Sequence, residues 1–334
     1  MSGSISVVVP TFNGATVIGQ ALESILAQSL KPREIIVVDD KSTDGTISAV
    51  ERFQARSPLP ISLICLAENS GGPARPLNEG IARAAGTLIA INEHDDLMMP
   101  NRLAKQLACL ERSPQAGLVS CFATIENHEQ TQAIGYETSI DLATLSAQPL
   151  GDGFFRVAAA NVSTAMIRSR QWFLRSLSGC LFPKSIWTAV GGFNPSFRVA
   201  ADADFLFRVL TKHDLAVVAE PLYRYRLLKN HLALSGKIEG MREYIAIYRR
   251  LLRQRCSAGM RYALSARLQV ELLNLAYELR KCRRFAASSA AYGRYLLSGG
   301  SGFRAGAGLI KVAIDSALRQ FINQTNRHGM RASS

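Results

Sequence analysis

The chain has 334 residues, of which 48% are hydrophobic, and its formal net charge is +13. This length and composition are those of a folded, soluble protein with one large domain and a smaller module. No run approaches the ~18 apolar residues of a membrane-spanning helix, and the amino terminus lacks the basic start of a secretory signal. Six scattered cysteines without a CxxC pair indicate neither a zinc site nor disulfides, so we expect a reducing cytoplasm.

The first hundred residues alternate between strand and helix patterns. Two β-branched runs, at 5–9 and 35–38, flank an amphipathic helix at 21–30. The alternation then continues with a helix at 46–56, a strand at 61–66, a helix at 76–85 and a strand at 88–92. Such a pattern predicts an α/β fold, with a mostly parallel sheet that is covered by helices on both faces.

The rest of the chain has weaker patterns and then a helical region. Residues 125–160 predict irregular or antiparallel structure, helices are expected from Ser185 and Asp204, and a strand is expected near 216–219. Beyond Leu232 the pattern is almost wholly helical, with a helical hairpin at 275–297. The predicted domains are an α/β domain at 1–230, with halves at 1–124 and 125–230, and a helical C-terminal module at 231–334.

The positive charge is concentrated in the helical region. Residues 1–228 hold 20 Lys and Arg against 21 Asp and Glu, whereas residues 229–334 hold 19 against 5. This asymmetry indicates an anionic partner, and basic helices with apolar faces favour a peripheral contact with an anionic membrane surface. The alternative, in which the apolar faces pack together or on a second subunit, is equally compatible. Nucleic acid is not expected as a partner because no known nucleic-acid-binding pattern accompanies the charge.

Polar and acidic residues follow the predicted strands of the first half. In open parallel sheets the ligand lies at the carboxyl ends of the strands. Asp39 and Asp40 end one strand, where carboxylates can accept hydrogen bonds from a pyrimidine imide or from ribose hydroxyls. The competing interpretation is an Asx turn that caps the next helix. We favour the turn for Asp44 and ligand contact for Asp40.

A second acidic group, Glu93-His94-Asp95-Asp96, follows the strand at 88–92. On an extended chain Glu93 and Asp95 would share a face and could approach one ion together. Mg²⁺ and Mn²⁺ prefer oxygen ligands and can bridge a diphosphate. A helix cap near Pro100 is the alternative role, although it would involve Asp96 at most.

Several ordered motifs together resemble the family 2 inverting glycosyltransferases of GT-A fold, over residues 4–228. The motifs are Val7-Val8-Val9-Pro10-Thr11-Phe12-Asn13, Val37-Val38-Asp39-Asp40 with Asp44-Gly45-Thr46, Gly71-Gly72-Pro73-Ala74, Asn78-Glu79-Gly80-Ile81 and the acidic group. The resemblance implies a GT-A-type sheet in which residues 1–124 bind a nucleoside diphosphate sugar and residues 125–230 face the acceptor. Motifs in a fixed order are more specific than any one alone.

The resemblance also implies roles for individual residues. The base pocket would be formed by Pro10, Thr11 and Phe12 with Asp39 and Asp40, and Asp95 would bind the divalent cation. The remaining predicted donor-binding residues are Arg75, Asn78, Glu93, His94 and His231. Two positions depart from the family pattern, because Glu93 stands where Asp is usual and Leu77 stands where Arg often precedes the Asn.

The segment Ala201-Asp202-Ala203-Asp204 resembles the acceptor side of the same family, where a Glu-Asp pair precedes a helix. Inverting transfer needs one carboxylate to take a proton from the acceptor hydroxyl, and Asp202 is the candidate base. Asp204 is interpreted as a helix N-terminal acid. Ala201 replaces the usual acidic neighbour.

The resemblance therefore implies transfer of a hexose-type sugar from a nucleoside diphosphate to a saccharide or lipid-linked acceptor in bacterial envelope polysaccharide synthesis. The expected cofactor is Mn²⁺ or Mg²⁺, and the expected location is the cytoplasm or the inner face of its membrane. A catalytically silent nucleotide-sugar-binding protein remains an alternative because of Ala201 and Leu77. A nucleotidyltransferase is the other, although residues 10–14 contain no Lys or Arg.

Overall fold

The structure is a computed structural model that describes residues 3–127, 136–138, 141–168, 176–227, 236–302 and 304–316. The chain divides into two compact units, Met1–Ser235 and Gly236–Ser334. The division lies a few residues after the predicted boundary at 230.

The first part of unit 1 alternates strands and helices as predicted. Its central strands Ile5–Thr11 and Leu88–Ile91 are buried along their whole length, which explains why they have continuous apolar runs instead of an alternating pattern, whereas the edge strand Ile61–Cys65 is only partly buried. The elements are β1 (Ile5–Thr11), α1 (Ile18–Leu26), β2 (Glu34–Asp39), α2 (Thr46–Gln54), β3 (Ile61–Cys65), α3 (Ala74–Arg83) and β4 (Leu88–Ile91).

The second part of unit 1 is more irregular, and its hairpin of the strands Gln148–Gly151 and Phe154–Val157 is antiparallel, as expected for residues 125–160. One helix begins earlier than predicted, at Ala201, so that Asp202 and Asp204 both lie in its first turn. The elements are β5 (Leu97–Met98), α4 (Arg102–Arg112), β6 (Ala116–Asn127), β7 (Tyr136–Thr138), β8 (Gln148–Gly151), β9 (Phe154–Val157), α5 (Ala159–Arg168), a short 3-10 helix (Leu177–Gly179), β10 (Leu181–Pro183), α6 (Lys184–Val190), α7 (Ala201–Leu210) and β11 (Asp214–Leu227).

One sheet joins all these strands, in the order β3-β2-β1-β4-β10-β6-β11-β9-β8, with β5 on β11 and β7 on β6. Strands β1 to β4 are mutually parallel, and β6 and β11 form a second parallel pair. The antiparallel β10 lies between these two groups. The predicted fold class, a GT-A-type mostly parallel sheet flanked by helices, is confirmed.

Strand β11 is much longer than the predicted strand at 216–219. The sequence pattern stops at Glu220-Pro221, because a proline cannot donate to a sheet ladder. In the structure Pro221 lies at a register shift between β11 and β6, where the missing donor is tolerated, and pairing resumes at Tyr223. The strand therefore reaches Leu227 and carries Arg226 to the site.

Unit 2 is helical in all its described elements, as predicted. The helices are α8 (Lys237–Arg253), α9 (Ala258–Lys281), α10 (Phe285–Leu297) and α11 (304–316). The hairpin predicted at 275–297 is formed by α9 and α10, and its core includes Leu272, Leu275 and Tyr292. Within the described residues of the whole chain, no helix is both long enough and apolar enough to cross a membrane.

Candidate active site

A tight turn after β4 brings three carboxylates together. The amide of Asp96 donates to the carbonyl of Glu93 at 3.1 Å, and the side chain of Asn92 donates to the carbonyls of Glu93 and Asp96 at 3.0 Å each. Glu93, Asp95 and Asp96 each offer a carboxylate oxygen, and these oxygens lie within 4.8 Å of one another. We call these three residues the acidic turn. The extended alternation expected from sequence is absent, yet the turn brings Glu93 and Asp95 together and adds Asp96.

Asp96 belongs to this group and does not cap a helix, since the N-cap of α4 is Asn101. Its side chain is fully buried. One carboxylate oxygen accepts from the hydroxyl of Ser176, and the other accepts from the backbone amide of Arg226, both at 3.1 Å. The amide of Glu93 donates to the hydroxyl of Ser178 at 2.8 Å. The two serines lie at the start of the 3-10 helix, as its N-cap and its second residue, and no local sequence pattern indicates either.

Two arginines support the acidic turn from the protein interior. The guanidinium of Arg226 donates to the carbonyl of Asp95 and to the side chain of Gln20, and its Nη2 has no hydrogen-bond partner among the described residues. Arg102 is completely buried and donates through Nη2 to the carbonyls of Ile91 and Cys180, at 3.0 Å each. These contacts fix the ends of β4 and β10 beneath the turn. Neither arginine was among the predicted site residues.

The carboxylates of the acidic turn repel one another. Burial raises the pKa of Glu93 well above its usual value, and the charges of Asp96, Asp95 and Asp202 raise it further. Burial, followed by the charge of Asp95, raises the pKa of Asp96 to about 7. A divalent cation would remove this repulsion, and oxygen ligands suit Mg²⁺ or Mn²⁺. The residues present therefore fit the predicted metal.

Because the carboxylates of the acidic turn repel one another, we expect Glu93→Gln to stabilise the folded protein at high pH. A carboxyl whose pKa in the folded state exceeds its unfolded-state value near 4.3 destabilises the fold as the pH rises from the unfolded-state pKa to the folded-state pKa. In EDTA at about pH 8, Glu93→Gln should therefore stabilise the protein by about 1 kcal/mol, and the gain should shrink toward about pH 5. Thermal melts at both pH values measure it, with the exposed Glu68→Gln as the control. A lower melting temperature for Glu93→Gln at both pH values would contradict the repulsion.

The two acids of α7 have different surroundings. Asp202 is partly exposed, accepts from the amide of Ala203 at 2.7 Å, and is close enough to Glu93 to raise its pKa. Asp204 is fully buried and forms an ion pair with Arg208 at 2.6 Å. The fold thus brings Asp202 to the acidic turn, from 109 positions away in sequence, and gives Asp204 a structural partner.

The ends of β1 and β2 form the other edge of the site. Asp39 accepts from the amide and hydroxyl of Ser42, at 2.8 and 2.5 Å. Asp40 accepts from the amide and hydroxyl of Ser70 at 2.9 Å, and burial raises its pKa. Asp44 accepts from the amide of Thr46 at 3.0 Å, which is the turn role predicted for it. Asp40 therefore ties β2 to the 69–72 loop and still has free lone pairs on its carboxylate.

The residues predicted for the base pocket lie at the end of β1 beside the acidic turn. Phe12 is 44% exposed, and the Oγ1 of Thr11 is buried without a hydrogen-bond partner among the described residues. His94 contacts the carbonyl of Pro10 through Nδ1 at 3.3 Å. A Cβ added to Gly14 would lie 2.6 Å from the His94 ring, so only glycine allows this approach. The predicted residues His94, Pro10, Thr11 and Phe12 are therefore neighbours.

The predicted residues of α3 have different environments. Arg75 is exposed and lines a cavity of about 210 Å³ with Ser70, Gly72, Ala74, Pro195 and Phe197. Asn78 instead connects α3 to the loop after α6. Its Oδ1 accepts from the amide of Phe193 at 2.8 Å and from Trp187 at 3.1 Å, and its Nδ2 donates to the carbonyl of Phe193 at 2.8 Å. The predicted residue His231 lies outside the described residues.

The contacts of Asn78 predict a structural effect on substitution. Asn78→Ala would leave the amide and carbonyl of Phe193 and the indole N–H of Trp187 without their partner, so we expect a loss of about 2 kcal/mol of folding stability. Thermal or urea unfolding measures it. The matched control is Asn101→Ala, because Asn101 makes no side-chain capping bond. A stable Asn78→Ala protein with weakened donor binding would instead favour the predicted ligand role.

Comparison with known proteins agrees with this geometry. The family model "Glycosyl transferase family 2" matches residues 6–173, which is half of the chain and includes the acidic turn. The chain belongs to glycosyl transferase family 2. The family assignment predicted from the ordered motifs is therefore confirmed, and it favours a glycosyltransferase over the nucleotidyltransferase alternative.

Two relatives illustrate how similar this family 2 glycosyltransferase is to other proteins in sequence. An uncharacterized glycosyltransferase of Nostoc sp. is 25% identical over 235 residues, which are 70% of this chain and 68% of the relative. The poly(ribitol-phosphate) beta-N-acetylglucosaminyltransferase TarS of Staphylococcus aureus is 21% identical over 285 residues, 84% of this chain. The aligned region is only 45% of TarS, so this chain spans less than half of that relative.

Solved structures share the fold. TarS residues 1–349 in complex with UDP-GlcNAc superimpose with a TM-score of 0.66 at 18% identity, covering 95% of this chain and 92% of that chain. A mannosyltransferase of Pyrobaculum calidifontis in complex with GDP-Man and Mn²⁺ gives a TM-score of 0.58 at 21% identity, covering 99% and 85%. At these identities the similarity establishes the fold alone.

Proposed function

We propose that this chain is an inverting glycosyltransferase that moves a sugar from a nucleoside diphosphate donor to a hydroxyl acceptor, with a divalent cation. One observation carries the proposal: the partly exposed Asp202 lies close enough to the acidic turn for its charge to raise the pKa of Glu93, so a candidate base and a candidate cation site are neighbours. The family assignment supports the reaction class. The class of donor, the inversion at the anomeric carbon and the class of acceptor are all part of what we propose.

The nucleoside would bind at the ends of β1 and β2. Phe12 offers an exposed aromatic face for the base, Thr11 offers an unused hydroxyl, and Asp40 offers carboxylate oxygens that can accept from an imide N–H. Asp39 keeps the turn after β2 in place through Ser42. Arg75 would approach the phosphates from the cavity beside Ser70, and we retain His231 as a proposed donor contact.

Asp95, with Glu93 and Asp96, would hold Mn²⁺ or Mg²⁺. When bound, the ion supplies positive charge that stabilises the nucleoside diphosphate as it departs. Arg226 and Ser176 hold the turn in the shape that brings the three carboxylates together.

Asp202 would take the proton from the acceptor hydroxyl as that oxygen attacks the anomeric carbon. Attack on the face opposite the departing diphosphate gives inversion. Ala201 is buried and supplies no second carboxylate beside it.

The acceptor would be a saccharide or a lipid-linked saccharide in the synthesis of a bacterial envelope polysaccharide. This part of the proposal rests on the relative TarS, whose name describes transfer of N-acetylglucosamine to poly(ribitol-phosphate). A cytoplasmic location, at the inner face of the membrane, fits a nucleotide-sugar donor.

The direct test is a thermal-shift screen of UDP, GDP and other nucleoside diphosphates with and without Mn²⁺. A ligand that binds only the folded state at 100 times its Kd stabilises by ~2.7 kcal/mol, so the correct nucleotide should raise the melting temperature in Mn²⁺ and much less in EDTA. Nucleoside diphosphate release from the matching sugar donor then tests turnover. If no nucleotide raises the melting temperature in the presence of metal, the proposal fails.

The absence of an acid at the buried Ala201 and of Arg at the buried Leu77 favours one competing function, a nucleotide-sugar-binding protein without turnover. Its signature would be metal-dependent nucleotide binding without donor hydrolysis or sugar transfer. The same two assays therefore distinguish it from the enzyme.

A further inference from the structure

The charge of unit 2 is positive not only in sequence but also on its surface. Residues 236–334 hold 18 Lys and Arg against 5 Asp and Glu. Most of these acids are neutralised or buried: Glu278 pairs with Lys237 at 2.8 Å, Asp315 pairs with Arg280 at 2.7 Å, Glu271 pairs with Arg267 at 2.9 Å, and Glu243 is 6% exposed. Arg294, Arg304 and Lys311 on the last two described helices are exposed.

The same two helices expose aliphatic side chains. Ile310 and Ile314 of α11 are 63% and 53% exposed, and they lie one turn apart on the same side of that helix. Leu297, at the end of α10, is 90% exposed. The opposite side of α11 is buried through Ala305 and Val312. The two isoleucines thus form an outward aliphatic face beside Lys311.

We infer that this aliphatic face of α11, Ile310 and Ile314 with the flanking Arg304 and Lys311, docks on an anionic lipid surface. Aliphatic side chains flanked by cations match a bilayer interface, where the side chains enter the acyl boundary and the cations contact lipid phosphates. A second copy of the chain would bring the same excess of positive charge against it. Single-stranded nucleic acid would need stacking aromatics at this face, whereas residues 304–316 contain none and Tyr292 and Tyr295 of the neighbouring α10 are buried.

Docking through this face would hold the enzyme where lipid-linked saccharides are. It lies in unit 2, and the candidate active site lies in unit 1, so vesicle binding and donor hydrolysis can be measured separately. A protein that binds vesicles yet fails the nucleotide screen would leave this inference intact and remove the proposed function.

The test is co-sedimentation of the full chain with phosphatidylcholine vesicles, with and without phosphatidylglycerol. We expect binding only to the anionic vesicles, weaker at high salt. The double variants I310S/I314S and R304E/K311E should each lose at least about tenfold in vesicle affinity. Tyr262→Ser is the control, because Tyr262 is 78% exposed on α9 and lies outside the face. Circular dichroism verifies that each variant is folded.

Three results would overturn the inference: no binding to anionic vesicles, unchanged binding by I310S/I314S, or equal loss in Tyr262→Ser. Light scattering distinguishes one cause of the second result. If I310S/I314S dissociates an oligomer and keeps its vesicle affinity, the face is an interface between copies of this chain.

Discussion

Asp202→Asn should reduce sugar transfer and donor hydrolysis by about 10²–10⁴-fold, while nucleotide binding in Mn²⁺ stays within a few-fold of the wild type. The side chain keeps its size but loses the ability to accept a proton at neutral pH. Asp202 is partly exposed in the first turn of α7, so the folded structure should tolerate the change. Turnover is measured as nucleoside diphosphate release, and binding is measured by thermal shift.

Asp204→Asn is the matched control on the same helix turn. It removes a buried carboxylate that pairs with Arg208, so it should lower stability by about 3 kcal/mol and leave turnover per folded molecule near normal. The two variants thus separate chemistry from folding. Normal turnover by Asp202→Asn would eliminate Asp202 as the base.

Asp95→Ala should abolish the effect of Mn²⁺ on nucleotide binding. The acidic turn would lose one of its three carboxylates, and we expect Mn²⁺ affinity to fall by at least about 100-fold. Because removing a negative charge relieves repulsion within the turn, the metal-free protein should remain folded. Isothermal titration with Mn²⁺, in the presence of the nucleotide found by the screen, measures the loss.

The control for Asp95→Ala is Asp152→Ala. Asp152 is an acid with a 71% exposed side chain that pairs with Arg112 outside the acidic turn. Its loss should change neither Mn²⁺ affinity nor nucleotide binding. Metal-dependent nucleotide binding that survives Asp95→Ala would move the cation site away from the acidic turn.

The two units also differ in how sequence reveals their roles. In unit 1, motifs at the ends of strands identified the family. In unit 2, composition indicated an anionic partner, but it left open whether the apolar helix faces were internal. Leu272 and Leu275 are buried, whereas Ile310 and Ile314 are exposed, so the folded unit buries only part of its apolar helix surface.

The sequence by itself determined the strand–helix alternation, the family and the carboxylates that follow the strands. These are local properties: β-branched runs specify strands, and Glu93, Asp95 and Asp96 are close together because they are adjacent in the chain.

Only the tertiary structure decided what surrounds those carboxylates. Asp96 is bound by Ser176 and Arg226, which are 80 and 130 positions away, and Asn78 is engaged by Phe193 at a separation of 115. No local pattern encodes such partners, because a buried polar group takes whichever donor the packed fold brings to it. The same reason explains why Asp202 could be named as a base from a motif but could be placed beside Glu93 only by the fold.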